Sequence, residues 1–156
     1  MTTILHSFYA SLSDPVPVSA NKLYTTFRGK RVLTAAGRDF KSALTREVAE
    51  AVSRLPWRDA VDAVYVHGAH VELAITVHFP LLNKSWKPGH KTKSGQLQSR
   101  YLKRDATSYV KATEDAVVDG TGIDDSASME TTVRKFHSDK PFIEVAYLVI
   151  QGERHG

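Results

Sequence analysis

The sequence predicts an α+β fold, one mixed sheet covered by helices. Three observations carry this. The apolar positions of residues 71–79 alternate strictly. Two other segments repeat their apolar residues at helical spacing. Read in order, the elements run β, α, β, α, β, β, with hairpins and no linker or internal repeat between them. The 156 residues suit one domain spanning residues 1–156.

Thr3 to Ala10 reads as a first strand. Asp14 to Asn21 follows as a loop, because Pro15 and Pro17 each fix φ and lack a donor. Thr25 to Leu33 carries Arg28-Gly29-Lys30-Arg31, a loop or hairpin tip with exposed charge. Thr34 is placed to cap a helix whose apolar positions are Phe40, Leu44, Val48, Val52 and Leu55, and Pro56 ends it. Val71, Leu73, Ile75, Val77 and Phe79 then alternate as a strand with one buried face. A second helix is expected from about Asp105 to Asp119, stopping at Gly120, with Ala106, Tyr109, Val110, Ala116 and Val117 as its stripe. Met129–Phe136 and Phe142–Ile150 close the chain as strands, with Ser138 to Pro141 turning between them.

Hydrophobic residues make up 42% of the chain, enough for a packed core. No run of 18 apolar residues suggests a membrane span. Met1 to Tyr9 lacks the features of a secretory leader, so a cytoplasmic bacterial or phage protein is expected. The absence of cysteine removes disulfides, thiolate metal sites and cysteine nucleophiles. His67 and His70 have no matching third ligand, and there is no HExxH pattern. Phosphate-loop and GxSxG signatures are also absent.

The net charge of +4 is unevenly spread. From Leu81 to Arg104 there is no acidic residue, while Lys84, Lys87, Lys91, Lys93, Arg100, Lys103 and Arg104 all fall there. Such a basic segment is the usual footprint of a phosphate-backbone partner; a solvated, flexible loop is the alternative. Lys22, Arg28, Lys30 and Arg31 join it as candidate nucleic-acid contacts.

Beside this segment stand Asp105, Asp124 and Asp125. A hard cation such as Mg²⁺ takes oxygen ligands, often one or two carboxylates with waters and phosphate oxygens. Bound, it lowers the pKa of its water and screens developing phosphate charge. Each residue also has a plainer reading: Asp105 as a helix cap, Asp124-Asp125 as turn chemistry. On an extended segment only one of that pair would face Asp105. Lys111 lies one turn after Thr107, with Asp115 a further turn on and placed to hold the ammonium. It is either a solvated lysine or a cation beside the reacting phosphate.

These pieces resemble one family. Pro17-Val-Ser-Ala-Asn21-Lys-Leu-Tyr24, then Arg104-Asp105-Ala-Thr-Ser-Tyr-Val-Lys111 with Asp115-Ala116, then Ile123-Asp-Asp-Ser126 resemble the motifs of the RusA Holliday-junction resolvases. The resemblance implies a homodimer of RusA-like fold that cuts four-way DNA junctions with Mg²⁺, or with Mn²⁺ in its place. It implies catalytic roles for Asp105, Lys111 and Asp125, and metal ligation by Asp105, Asp124 and Asp125. The sequence departs from the family at Thr107, where a second Asp is usual, and at Ser108, where Asn is. A Thr hydroxyl still offers an oxygen to Mg²⁺. A module that grips branched DNA without cutting it is the competing reading, and an RNA-binding or RNA-cutting protein is a third. Asp105 and Asp125 are expected to approach closely enough to share one cation, with Thr107 at its border.

Overall fold

The computed structural model describes residues 2–17 and 22–152. Residues 18–21 of the N-terminal resemblance segment, Asn21 included, lie outside the described residues, as do residue 1 and residues 153–156. The elements are β1 (Thr3–Leu12), β2 (Tyr24–Phe27), β3 (Lys30–Leu33), α1 (Ala35–Ser53), α2 (Trp57–Tyr65), β4 (His70–Phe79), α3 (Ser108–Thr121), β5 (Ser128–His137) and β6 (Phe142–Gln151). The main sheet has the order β1-β6-β4-β5. β4 pairs parallel to β5 and antiparallel to β6, and β1 pairs antiparallel to β6. The expected α+β fold with a mixed sheet is therefore present.

The core lies between one face of this sheet and the helices. β4 sends Val71, Leu73, Ile75, Val77 and Phe79 inward, and β6 sends Ile143, Val145, Tyr147 and Val149. α1 starts where Thr34 accepts a hydrogen bond from the Gly37 N–H at 3.0 Å. It buries Phe40, Leu44, Val48 and Val52, one face of a 3.6-residue period. Phe40 meets Tyr109 of α3 edge to face at 5.7 Å. β2 and β3 form a separate hairpin whose turn residues, Arg28 and Gly29, both have positive φ. That conformation matches the right-handed twist of a two-residue hairpin.

Four sequence expectations change. Besides the two expected helices there is a third, α2. Pro56 ends α1 but also precedes α2, since a proline is tolerated at a helix start. Trp57 anchors α2: its indole N–H donates to the Thr121 carbonyl at 2.8 Å, and its ring meets Phe8 at 5.4 Å. Secondly, α3 begins at Ser108 rather than Asp105, because the Asp105 carboxylate is drawn into a local turn with Thr107. Its buried stripe uses Ala112 and Thr113, while Val110 is half-buried.

Thirdly, α3 does not stop at Gly120. A Cβ there would sit 2.6 Å from Val48 Cγ1, so this glycine permits close approach of α1 and α3. The cap is Gly122, in the left-handed region at φ 73°. Lastly, β5 and β6 are not a hairpin. β4 lies between them, and the residues from Ser138 to Pro141 cross its end, where Ser138 N–H donates to the Phe79 carbonyl at 3.1 Å. Among the described residues no helix is long and apolar enough to cross a membrane.

Candidate functional site

The basic segment is folded. Leu82 bridges Tyr101, and Lys91 bridges Leu97. Asn83 N–H donates to the Arg100 carbonyl at 2.8 Å, and the Trp86 indole to the Gln98 carbonyl at 2.7 Å. The result is an irregular two-stranded excursion that exposes Lys84, Lys87, Lys91, Lys93, Arg100 and Lys103. Arg104 differs. It is half-buried beside Tyr109, and its Nε has no hydrogen-bond partner among the described residues. Burial pushes the Tyr109 phenol up to about 12.

The segment delivers the chain to Asp105, which is exposed. Its Oδ1 accepts from the Thr107 N–H at 3.0 Å and from the Thr107 hydroxyl at 2.5 Å. The hydroxyl contact is the main reason the Asp105 carboxyl sits below the usual range; the charge of Lys135 contributes in the same direction. The expected cap has thus become a local Asx-type turn, and Thr107 is bound directly to Asp105.

One turn into α3, Lys111 is exposed, and its Nζ donates to Asp115 Oδ1 at 2.9 Å. This hydrogen bond raises the lysine pKa, followed by the charges of Asp115, Asp125 and Glu114. Asp125 also bears on Glu114, whose carboxyl is raised first by burial and then by that neighbouring charge. Asp125 and Glu114 line one small cavity at the C-terminal side of α3.

Asp124 lines the same cavity but differs from Asp125 in its bonding. Asp124 Oδ2 accepts from the Ser126 N–H at 3.3 Å, capping a short 3-10 turn (Asp125–Ala127), and hydrogen bonding from Ser126 lowers its pKa. Its own N–H donates to the Tyr65 hydroxyl at 2.8 Å. Asp124 therefore does turn chemistry, while Asp125 bears on Lys111 and Glu114.

The β2–β3 hairpin roofs the N-terminal half of α3. Tyr24, Arg31, Thr107, Lys111 and Asp115 line a groove of about 360 Å³ there. Arg31 stacks its guanidinium on Tyr24 at 4.2 Å and remains exposed at the rim of the groove that Lys111 also lines. Lys22, Arg28 and Lys30 are exposed around it.

Two groupings result. Asp105 has Thr107 and Lys135 as neighbours, whereas Asp125 has Lys111 and Glu114. Among the described residues no three His, Asp or Glu side chains stand close enough to hold a metal ion. The donor chemistry still suits a hard cation, because the carboxylates are exposed and Glu114 and Asp125 repel each other. Glu114 and Lys135 were missed from the sequence. Glu114 is detectable as the helical neighbour of Lys111 at i+3. Lys135 lies on β5, far along the chain, and has no local signal.

No curated protein matches this chain. Among solved structures, the crystal structure of 2C-methyl-D-erythritol 2,4-cyclodiphosphate synthase from Plasmodium vivax aligns with 99% of this chain and 100% of its own. It does so at 12% identity and a TM-score of 0.32, too low to carry a shared architecture. The model of the family described as endodeoxyribonuclease RusA matches residues 14–147, from the loop after β1 to β6, and so includes the hairpin, the basic segment, α3 and the Asp124-Asp125 turn. This chain belongs to the RusA endodeoxyribonuclease family.

Proposed function

We propose that the chain, as one domain over residues 1–156, is a divalent-cation-dependent endonuclease that cuts four-way or other branched DNA in recombination, repair or phage DNA processing. The observation that carries this reading is Lys111. Its ammonium is held by Asp115 and feels the charge of Asp125, in the α3 region reached from an acid-free basic segment. Asp105 and Asp125, which stand in separate groupings here, would have to converge to hold Mg²⁺, or Mn²⁺ in its place, with Asp124 and Thr107 as further oxygen donors. When bound, the cation supplies an activated water and screens the charge on the phosphate. Lys111 remains protonated and offers its charge to the phosphate as negative charge builds up. Asp115 orients it. The exposed lysines and arginines of the segment bind phosphates and position the DNA. Two copies in a two-fold dimer would place one site at each of two symmetric strands.

Thr107 favours a second reading. Its hydroxyl is engaged by Asp105 where the family pattern has a second carboxylate. A site with fewer negative charges could bind branched DNA without cutting it. The deciding experiment is an end-labelled four-way junction incubated with the protein in Mg²⁺, in Mn²⁺ and in EDTA. Symmetric nicks that need the metal support the endonuclease. Tight binding with no cutting in either metal overturns it in favour of the binding module.

A further inference from the structure

The edge strand β5 and the base of the basic segment leave a groove of about 570 Å³ between them. Arg100, Tyr101, Lys135, Phe136 and His137 line it, with two leucines from the base of the segment. The catalytic reading gives no role to Tyr101 or Phe136. The two aromatic residues are 58% and 50% exposed, and both line this one groove beside two cations. Single exposed apolar residues are ordinary; two exposed aromatic residues and two basic ones lining one concavity at a sheet edge are less so.

The Phe136 ring and the Tyr101 backbone are each held in place. Phe136 stacks on His78 at 5.6 Å, and His78 stacks in turn on Phe142 at 3.8 Å. His78 Nε2 lies 3.2 Å from Glu144, which accepts from the Tyr9 hydroxyl at 2.9 Å. Tyr101 is held by its bridge to Leu82 and by the Leu102 N–H donating to the Leu81 carbonyl. Among the described residues no carboxylate lines the groove; Asp139 meets His137 Nε2 at 3.6 Å from outside the lining. Lys135 ties the groove to the site, since its Nζ donates to the carbonyl of Arg104, the residue before Asp105, at 3.1 Å.

We propose that this groove receives one unstacked nucleotide of the branched DNA, its base against Tyr101 and Phe136 and its phosphate on Arg100 and Lys135. The proposal rests on the reading that branched DNA is the substrate. Paired duplex covers both faces of every base, leaving no ring for an aromatic side chain to stack on. A branch point interrupts the stack and exposes such a face. Base–aromatic stacking tolerates any sequence, because every base has a π-face, and the volume falls in the roughly 300–1,000 Å³ range of small-ligand sites. The groove would thus select the branch rather than a sequence, and do so next to Asp105.

The test uses the full chain in EDTA, so that nothing is cut. A four-way junction carries 5-iododeoxyuridine at the branch point, and a matched junction carries it mid-arm. Irradiation should crosslink the branch-point probe, not the mid-arm probe, to Tyr101 or Phe136, located by peptide mass spectrometry. The double variant Tyr101→Ala/Phe136→Ala should lose about tenfold in junction affinity while its affinity for linear duplex of equal length changes much less. Tyr101→Trp, which keeps a stacking surface, should retain junction affinity and so separates stacking from misfolding. Crosslinks only at other residues, or equal losses on junction and duplex, would overturn the proposal. A protein that crosslinks at these rings but never cuts in Mg²⁺ or Mn²⁺ sinks the endonuclease reading and leaves the groove. One that cuts yet never crosslinks there sinks the groove alone.

Discussion

The Thr107 hydroxyl donates to Asp105 Oδ1 at 2.5 Å, and the Thr107 N–H donates to the same oxygen at 3.0 Å. These bonds stabilise the charged carboxylate, so Asp105 titrates below its ordinary value. Thr107→Val removes the larger contribution, and carboxyl NMR should show the Asp105 pKa moving up. The linkage sign follows from a depressed folded pKa. This contribution to stability is present above the ordinary Asp pKa and is lost as pH falls through the lowered folded value. An unmoved titration in Thr107→Val would mean that the hydroxyl does not set the Asp105 charge.

Asp105→Asn and Asp125→Asn should each abolish metal-dependent cutting while junction affinity holds or improves. Each substitution removes an oxygen ligand and also a negative charge close to phosphate. Gel-shift and cleavage assays on the same junction separate the two effects. Persistent Mg²⁺-dependent cutting by Asp105→Asn would remove that residue from the proposed site.

Lys111→Ala should lower the single-turnover rate by about 100-fold with a much smaller change in Kd, as expected of a charge acting mainly in the transition state. Asp115→Asn tests the same group through its pKa. Asp115 raises the Lys111 pKa, so the bridge contributes fully below the ordinary lysine pKa and is lost as pH rises through the higher folded value. Without it, the alkaline limb of the pH–rate profile should move to lower pH. Coincident limbs would show that Lys111 protonation does not govern the rate.

Replacing Lys87, Lys91 and Lys93 together by Ala should weaken junction binding and flatten its dependence on salt, because fewer counterions are released on binding. Cutting at saturating protein should largely survive. The comparison is a salt series of dissociation constants for both proteins. Superimposable curves would mean that the segment does not touch DNA.

Gly120→Ala should destabilise the fold by about 1–3 kcal/mol, the usual range for overpacking. The added Cβ would fall 2.6 Å from Val48 Cγ1 and 3.1 Å from the Thr45 carbonyl oxygen, which belongs to the backbone and yields less readily than a side chain. Urea unfolding measures it. An unchanged midpoint would show that α1 and α3 can separate at no cost.

What the sequence determined by itself is what neighbouring residues settle among themselves. The alternation of β4, the Thr34 cap of α1, the reach of Lys111 to Asp115 and the charge imbalance of residues 81–104 all follow from periods of two or 3.6 and from composition. The resemblance legible in the sequence rests on such local motifs, chiefly the Asp105 to Lys111 run. Tertiary structure decided the rest, because those outcomes depend on residues far apart in the chain. β5 and β6 look like a hairpin from their four-residue connection, yet β4 takes the place between them, where its apolar face is buried and both its edges are paired. Gly120 looks like a helix stop until Val48 of α1 packs against it. Asp124 and Asp125 are equivalent in the sequence; the turn they enter hands one to Ser126 and leaves the other beside Lys111 and Glu114. Lys135 reaches the carbonyl beside Asp105 only because parallel pairing with β4 brings the end of β5 to the base of the basic segment. Local chemistry can be read along the chain, whereas the meeting of distant side chains follows from which surfaces bury each other.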